Sequence, residues 1–434
     1  MRRRTFLRAS AAPVIAGLTG AAARDEPGVL LRGARLFDGT GMPVLENSAI
    51  LIRGNRIELV GPAGSFPVPS NSRQIDATGK TVVPGLVDHH FHLDPRLVPL
   101  FLARGVTSLR DPGQWIEAYE PVREWMKTHG LRGPRLLLTG PALDGANPAY
   151  PGNAMVLLGA EEARIAVRRL AAQGATALKV YFRLPLDCVQ AVAGEARRAG
   201  IPVAAHLEVV RAEDAVAAGV RGLVHVTSLG PSLVPAQEAE RYRQAVLADS
   251  NARALGRYRM WASIDPQSEK AWSLARFLAT SDAYVDPTLA VFEKQADREG
   301  VENRWMAAAW KNMVAYTGVL HRAGVRLVVG SHSSVPYAPP GLAYHRELEL
   351  LVEAGLTPAE ALMAATRVGA QMLGGPPDLG TIQPSKLADL VVLEADPLTD
   401  IRNARRVSAV VADGQYLEPN KITSLPAISG RQGK

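Results

Sequence analysis

An alternation of short apolar runs with amphipathic helical stretches constrains this chain more than any other feature. The apolar runs end near positions 90, 110, 140, 181, 206, 225, 288 and 330. Helical patterns lie between most of them, as in EEARIAVRRLAAQG, DCVQAVAGEARRAG and RAEDAVAAGV, with apolar residues three and four apart and a glycine just past the end. Eight strands alternating with helices predict an α/β fold, a (β/α)8 TIM-like barrel over residues 81–384. The widest gap, 225 to 288, leaves room for an extra helical insertion that can act as a lid. Beyond the eighth strand, helices are expected over 343–355 and 358–373. The second opens with Thr357-Pro358-Ala359-Glu360, a capping box with proline at the first helical position.

The two ends of the chain read differently. VLLRGARLFDGTG and SAILIRGNRIELVGP near the start, and LADLVVLEADP and RVSAVVADGQYL near the end, are apolar runs broken by Arg-Gly, Asp-Gly and Gly-Pro turns. Residues 28–80 and 385–420 are therefore expected to form one small composite β-sandwich domain around the central block. Before it, Arg3-Arg4-Thr5-Phe6-Leu7-Arg8 and the mild apolar stretch Ala11 to Ala23 resemble a twin-arginine export signal over residues 1–23. That stretch is too short to span a bilayer, and an ordinary N-terminal tail is the alternative. The expected destination is the periplasm or another exported location. Without Arg2, Arg3, Arg4 and Arg8 the net charge falls from +7 to +3, which argues against nucleic acid and acidic membrane surfaces as partners. The single cysteine, Cys188, excludes an internal disulfide and reads as a small buried hydrophobe.

The polar chemistry falls at strand ends, which in a barrel of this kind form the catalytic face. Five of the nine histidines lie there: His90 and His92 in VVPGLVDHHFHLD, His206 in PVAAHLE, His225 in GLVHV and His332 in VVGSHS. On a strand, positions i and i+2 point the same way, so His90 and His92 can reach one ion, while His89 faces away and reads as structural. Lys179 sits inside the apolar run ATALKVYF. It is either a core lysine needing a buried acid, or a residue whose burial lowers the amine pKa until it takes up CO2 and becomes an anionic ligand.

The run PGLVDHHFH, with GVTSLRDPG, GPRLLLTGPAL, GATALKVY, the strand histidines, LHRAGVRLVVGSHS, HRELELLVEAGLTPAEALMAATRVGAQMLG and LGTIQPSKLADLVVLEADPL, resembles the amidohydrolase superfamily. The nearest group is the imidazolonepropionase-like and Xaa-Pro dipeptidase-like branch. The resemblance implies a metal-centred barrel in which His90 and His92 bind one ion, carboxylated Lys179 bridges, and His206 and His225 bind a second. It also marks two departures. Where the family reads Gly-Thr-Asp-Ser, this chain reads Gly330-Ser331-His332-Ser333, so an aspartate that touches metal and handles the water's proton is replaced by His332. Where the family often has His-x-His, Glu208 follows His206.

These readings predict an exported hydrolase of an amide or related C–N bond, acting on a dipeptide-like or acyl-amino-acid substrate. His332 and Glu208 would move protons, and His90, His92, Lys179, His206 and His225 would hold metal. One or two Zn2+ or similar divalent ions, and CO2 for the lysine, are the expected cofactors. A silent metal-binding relative that holds a small molecule, or a deaminase, are the alternatives. The expected partner is a small-molecule substrate, with no nucleic acid, no membrane once the leader is removed, and assembly as a homo-oligomer. His129 and His321 read as helix residues, and His345 as structural.

Overall fold

A computed structural model describes residues 27–295, 304–372 and 376–428; the expected leader, residues 1–23, lies outside them. Segments from both chain ends meet in one sheet of eight strands. Its order is Gln415–Leu417, Val407–Ala412, Leu390–Leu393, Thr81–Pro84, Val29–Leu36, Leu45–Arg53 and Arg56–Pro62, with Arg73–Asp76 also paired to Val29–Leu36. Leu31, Ile50 and Ile57 from the start of the chain share one core with Leu390, Val392 and Val411 from its end. The sheet takes in Thr81–Pro84, which pairs antiparallel with Leu390–Leu393. The join to the barrel therefore falls at Gly85, not at 81 as the apolar pattern suggested. A Cβ there would come 2.2 Å from Thr107 Oγ1, so only glycine lets the chain pass from sheet to barrel at this point.

The barrel strands run in order as Leu86–Asp88, Val106–Asp111, Arg135–Leu138, Leu178–Val180, Val203–His206, Gly222–Val224, Tyr284–Asp286 and Arg326–Leu327. The third breaks at Thr139-Gly140-Pro141 and resumes as Ala142–Asp144, which pairs with the fourth. Neighbouring strands are parallel. The ring closes between strands eight and one, where His89 N donates to Val329 O at 2.9 Å and His332 N to His90 O at 2.8 Å. The predicted helices form at Ala160–Ala172, Leu186–Ala199 and Ala212–Ala218. The latter two end at Gly200 (φ 70°) and Gly219 (φ 107°) in the left-handed region that favours glycine. Cys188 is fully buried in the second of them, as read from sequence.

Between strands six and seven the insertion supplies the helices Ala236–Ala248, Ala252–Ser263 and Glu269–Thr280. After strand eight come Ala343–Glu353 and Pro358–Met363, and the Thr357–Glu360 capping box is made in both directions. The second helix then widens into a π turn, Ala364–Val368, before Gly369–Met372. His89 Nε2 bonds the Gly369 carbonyl at 2.7 Å just past this turn, which fixes His89 on the structural side of strand one. His345 Nε2 bonds the Ala404 carbonyl at 3.2 Å and is structural as well. No helix of the described residues is long and apolar enough to cross a membrane.

Candidate metal centre

A cavity of about 520 Å3 opens at the C-terminal ends of the barrel strands. Lys179, His90, His92, His206, His225 and His332 all line it. These side chains leave from, or just beyond, the C-terminal ends of strands one, four, five, six and eight. His90 Nε2 and His92 Nε2 approach to 3.1 Å. With His332 they form a group whose candidate ligand atoms all lie within 4.8 Å of one another, close enough to share an ion. The His332 ring stacks on His90 at 5.1 Å between centroids and meets His92 edge-on at 4.6 Å.

Hydrogen bonds set the remaining rings. Thr288 Oγ1 donates to the Pro287 carbonyl and so accepts from His225 Nδ1 at 2.6 Å, which leaves the His225 Nε2 lone pair free. His206 Nε2 donates to Glu208 Oε1 at 2.9 Å, and His206 Nδ1 is buried without a partner. Supporting bonds of this kind orient a metal-ligating imidazole and fix its tautomer. Burial is the main reason that the pKa of every cluster histidine falls, with neighbouring positive charges adding to it. His206 and His332 drop to about 4, and His90, His92 and His225 lie well below the usual imidazole value. For His332 this lies well below the ordinary imidazole value near 6.5. At neutral pH all five rings are uncharged, the state that metal binding requires.

Lys179 is 1% exposed, and its Nζ has no hydrogen-bond partner. Burial first, then Arg110, pushes its pKa well below the ordinary lysine value. Burial among imidazoles therefore favours the neutral amine. Orphaned Lys179 Nζ and His206 Nδ1, both buried, fit a metal centre and are costly without one.

Glu208 has a different setting from the one expected of a proton carrier. Oε1 accepts from His206, and Oε2 accepts from Tyr242 Oη at 2.6 Å. Burial works to raise its pKa, but the His206 contact, Arg257 and the Tyr242 bond hold it below the ordinary value. It stands behind His206, not in the cavity that the histidines line.

Two carboxylates escaped the sequence reading. Asp88 accepts from Ser331 N (2.9 Å), Ser331 Oγ (2.6 Å) and His90 N (2.9 Å), tying the GSHS turn to strand one. Asp286 ends strand seven with Oδ2 3.6 Å from His90 Nδ1, and neither of its oxygens has a hydrogen-bond partner. Burial, and after it Asp88, push its pKa up to about 7. The one local signal was an aspartate directly after the apolar pair in AYVDPTLA.

Four of the eight non-glycine residues with positive φ among the described residues lie here: His225 (φ 69°), Thr288 (φ 45°), His332 (φ 58°) and Ser333 (φ 63°).

Histidines from strands one, five, six and eight and a buried lysine on strand four thus meet in one cavity of an α/β barrel, a donor set that could hold a metal ion. Residues 81–417 match the amidohydrolase family, and the chain belongs to it. It is 25% identical over 416 residues to an adenine deaminase of Rubrobacter xylanophilus, covering 92% of this chain and 59% of the deaminase. It is 24% identical over 462 residues to an ochratoxinase of Aspergillus niger, covering 90% of this chain and 86% of that protein. Its fold matches a Bifidobacterium longum protein described as a candidate prolidase with a TM-score of 0.69 and 27% identity, covering 90% of this chain and 94% of that one.

Proposed function

We propose that this enzyme is an exported, divalent-metal hydrolase of an amide or related C–N bond, acting on a dipeptide-like or acyl-amino-acid substrate. One observation carries the reading: the neutral histidines and the unpartnered Lys179 amine meet in a single cavity. His90, His92 and His332 would hold one ion, and His206 and His225 a second. Lys179 would add to CO2 through its amine, losing a proton and becoming an anionic ligand between the two. When bound, such ions supply Lewis acidity toward a carbonyl oxygen and make water a stronger acid near neutral pH. The chain's own part is to aim and hold. Thr288 and Glu208 fix the two ligand tautomers on strands six and five, and Asp88 holds the turn that presents His332. His332 faces the same cavity and would accept a proton there whenever its ring is not a ligand.

The ochratoxinase and the candidate prolidase support a hydrolase reading. The adenine deaminase supports a second one, deamination, although this chain spans only 59% of that protein's length. The buried amine on strand four favours the first. The test is a turnover assay with zinc- or manganese-loaded protein on dipeptides, N-acyl amino acids and adenine. Release of a free amino acid supports the hydrolase, and release of ammonia from adenine alone replaces it with the deaminase. Binding of metal without turnover of any of these would make the chain a silent relative. Export is tested separately, by fractionating the producing cell and determining the mature N-terminus.

A further inference from the structure

The insertion between strands six and seven brings two arginines to the histidine cavity. Arg253 and Arg257 lie four residues apart on the helix Ala252–Ser263, one turn, so both side chains leave from the same face. Both line the cavity. Among the described residues neither forms an ion pair with a carboxylate. Arg253 Nη2 donates to Tyr150 Oη at 3.0 Å, and its Nε is buried without a partner. Arg257 Nε is also buried and unpartnered. Aromatic faces hold both forks without neutralising them. The Arg253 guanidinium carbon sits 4.9 Å from the Phe182 ring centre, and that of Arg257 sits 4.8 Å from Phe292.

The acid whose charge is felt by both arginines is Glu208. It is not available to them, because His206 and Tyr242 already occupy its oxygens. Arg257 also acts on His206, His225 and His332, where its charge adds to burial in holding the rings neutral. Asp144 also acts on Arg253, but its Oδ1 accepts from the Gly145 and Arg183 backbone N–H groups, so among the described residues the pair faces the histidines with no carboxylate in ion-pair contact. A guanidinium keeps its charge at any ordinary pH and presents a planar fork of donors that matches a carboxylate. Unused donors of this kind in a partly closed cavity are costly until a ligand supplies acceptors.

We propose that Arg253 and Arg257 form the subsite that reads the carboxylate of the substrate, so that the enzyme selects acids over their neutral amides. The inference rests on the hydrolase reading above and deepens it. The insertion helix then sets specificity, because it fixes how far the bound carboxylate lies from the bond presented to the histidines. A charge-assisted pair of this kind supports a preference of about tenfold to a hundredfold.

The experiment measures binding as well as turnover. Full-length, zinc-loaded protein is titrated calorimetrically with N-acetyl-L-phenylalanine and with its near-isosteric carboxamide, in which the charged carboxylate is replaced by a neutral amide. The carboxylate is expected to bind at least about tenfold more tightly. Arg257→Gln should bring the ratio close to one, Arg253→Gln should lower it, and Arg257→Lys should keep part of it, all with parental zinc content and circular dichroism. Equal affinities in the parent, including no measurable binding of either probe, overturn the proposal. So does a preference that survives in the double Gln variant, because the carboxylate would then be bound by the metal. A protein that keeps the arginine-dependent ratio but hydrolyses nothing refutes the hydrolase reading alone. One that hydrolyses acids and neutral amides equally refutes the arginine subsite alone.

Discussion

Asp286 and His90 share a space that strand eight leaves open. Asp286 Oδ2 lies 3.6 Å from His90 Nδ1. A Cβ on Gly330 would come 2.5 Å from that same oxygen and 2.7 Å from His90 Cβ. A carboxylate from strand seven thus stands beside a candidate metal ligand of strand one, in a chain whose strand eight carries histidine. If His90 Nε2 served as a ligand, Nδ1 would hold a proton on the side of Asp286, an arrangement that would orient the ring and raise its basicity. Asp286→Asn is expected to weaken zinc binding about 10- to 100-fold without changing the fold. Chelator competition measures this, and an unchanged affinity would reduce Asp286 to a polar group of the barrel interior.

Gly330 tests the same space from the other side. Its missing Cβ would press on the Asp286 side chain and on His90 Cβ, and the latter can move only with its strand. Gly330→Ala should cost about 1–3 kcal/mol, as overpacking of a close-packed interior does. It should also lower zinc affinity. Denaturant unfolding and zinc titration report the two effects separately, and a variant as stable as the parent would show that the strands yield.

The strand-end histidines were legible because a buried apolar strand followed at once by a polar residue leaves that residue one place to go. Lys179 was legible for the same reason: a charge inside an apolar run demands an explanation. Asp286 was not, because Asp-Pro after an apolar run is also how an ordinary strand ends in a turn. Its role arises only when strand seven lies beside strand eight and across from strand one. Asp88 bonds Ser331, 243 positions away, a contact no local pattern carries. Glu208 lies past the end of its strand at His206, so the strand period did not place it; it bonds His206 there, and its second partner, Tyr242, comes from the insertion. The barrel's start was misplaced because Thr81–Pro84 and Leu86–Asp88 read as one apolar run, and only pairing divides them at Gly85.

Lys179→Ala should keep the fold and lose a metal. The side chain reaches the cavity without a hydrogen bond, so truncation breaks none and leaves a void in its place. If carboxylated Lys179 bridges two ions, elemental analysis should fall from two per chain to at most one, and added bicarbonate should not restore the second. Two ions retained would remove the lysine from the ligand set.

His345 should make the fold sensitive to acid. Burial, only partly offset by the Ala404 hydrogen bond, depresses its pKa from 6.5 to about 4. Between those values the unfolded chain binds the proton and the folded chain does not, so stability is full above about pH 6.5 and falls as the pH drops toward 4. The two limits differ by about 3 kcal/mol for this one residue. His345→Gln keeps a donor within reach of Ala404 O but does not titrate. Compared with the parent, its urea midpoint should move less between pH 7 and 4.5, and parallel shifts in the two proteins would rule the contribution out.

His332 occupies a turn that is held on every side. Asp88 fixes Ser331, Ser333 N donates to Ser331 Oγ at 2.8 Å, Ser333 Oγ donates to the His92 carbonyl at 2.7 Å, and His332 N donates to the His90 carbonyl at 2.8 Å. These bonds are what keep His332 and Ser333 at positive φ, each at a cost of about 1 kcal/mol. Since backbone atoms and the flanking serines hold the turn, the imidazole itself is free for chemistry. His332→Ala should therefore leave thermal stability close to the parent's while lowering zinc affinity and cutting turnover at least about 10²-fold. His332→Asp puts a carboxylate on the same strained turn and should recover metal binding, with turnover following if proton acceptance is the only further role. A His332→Ala protein that binds zinc and turns over substrate like the parent would make the histidine a bystander, and would leave the anionic work of the site to Asp286.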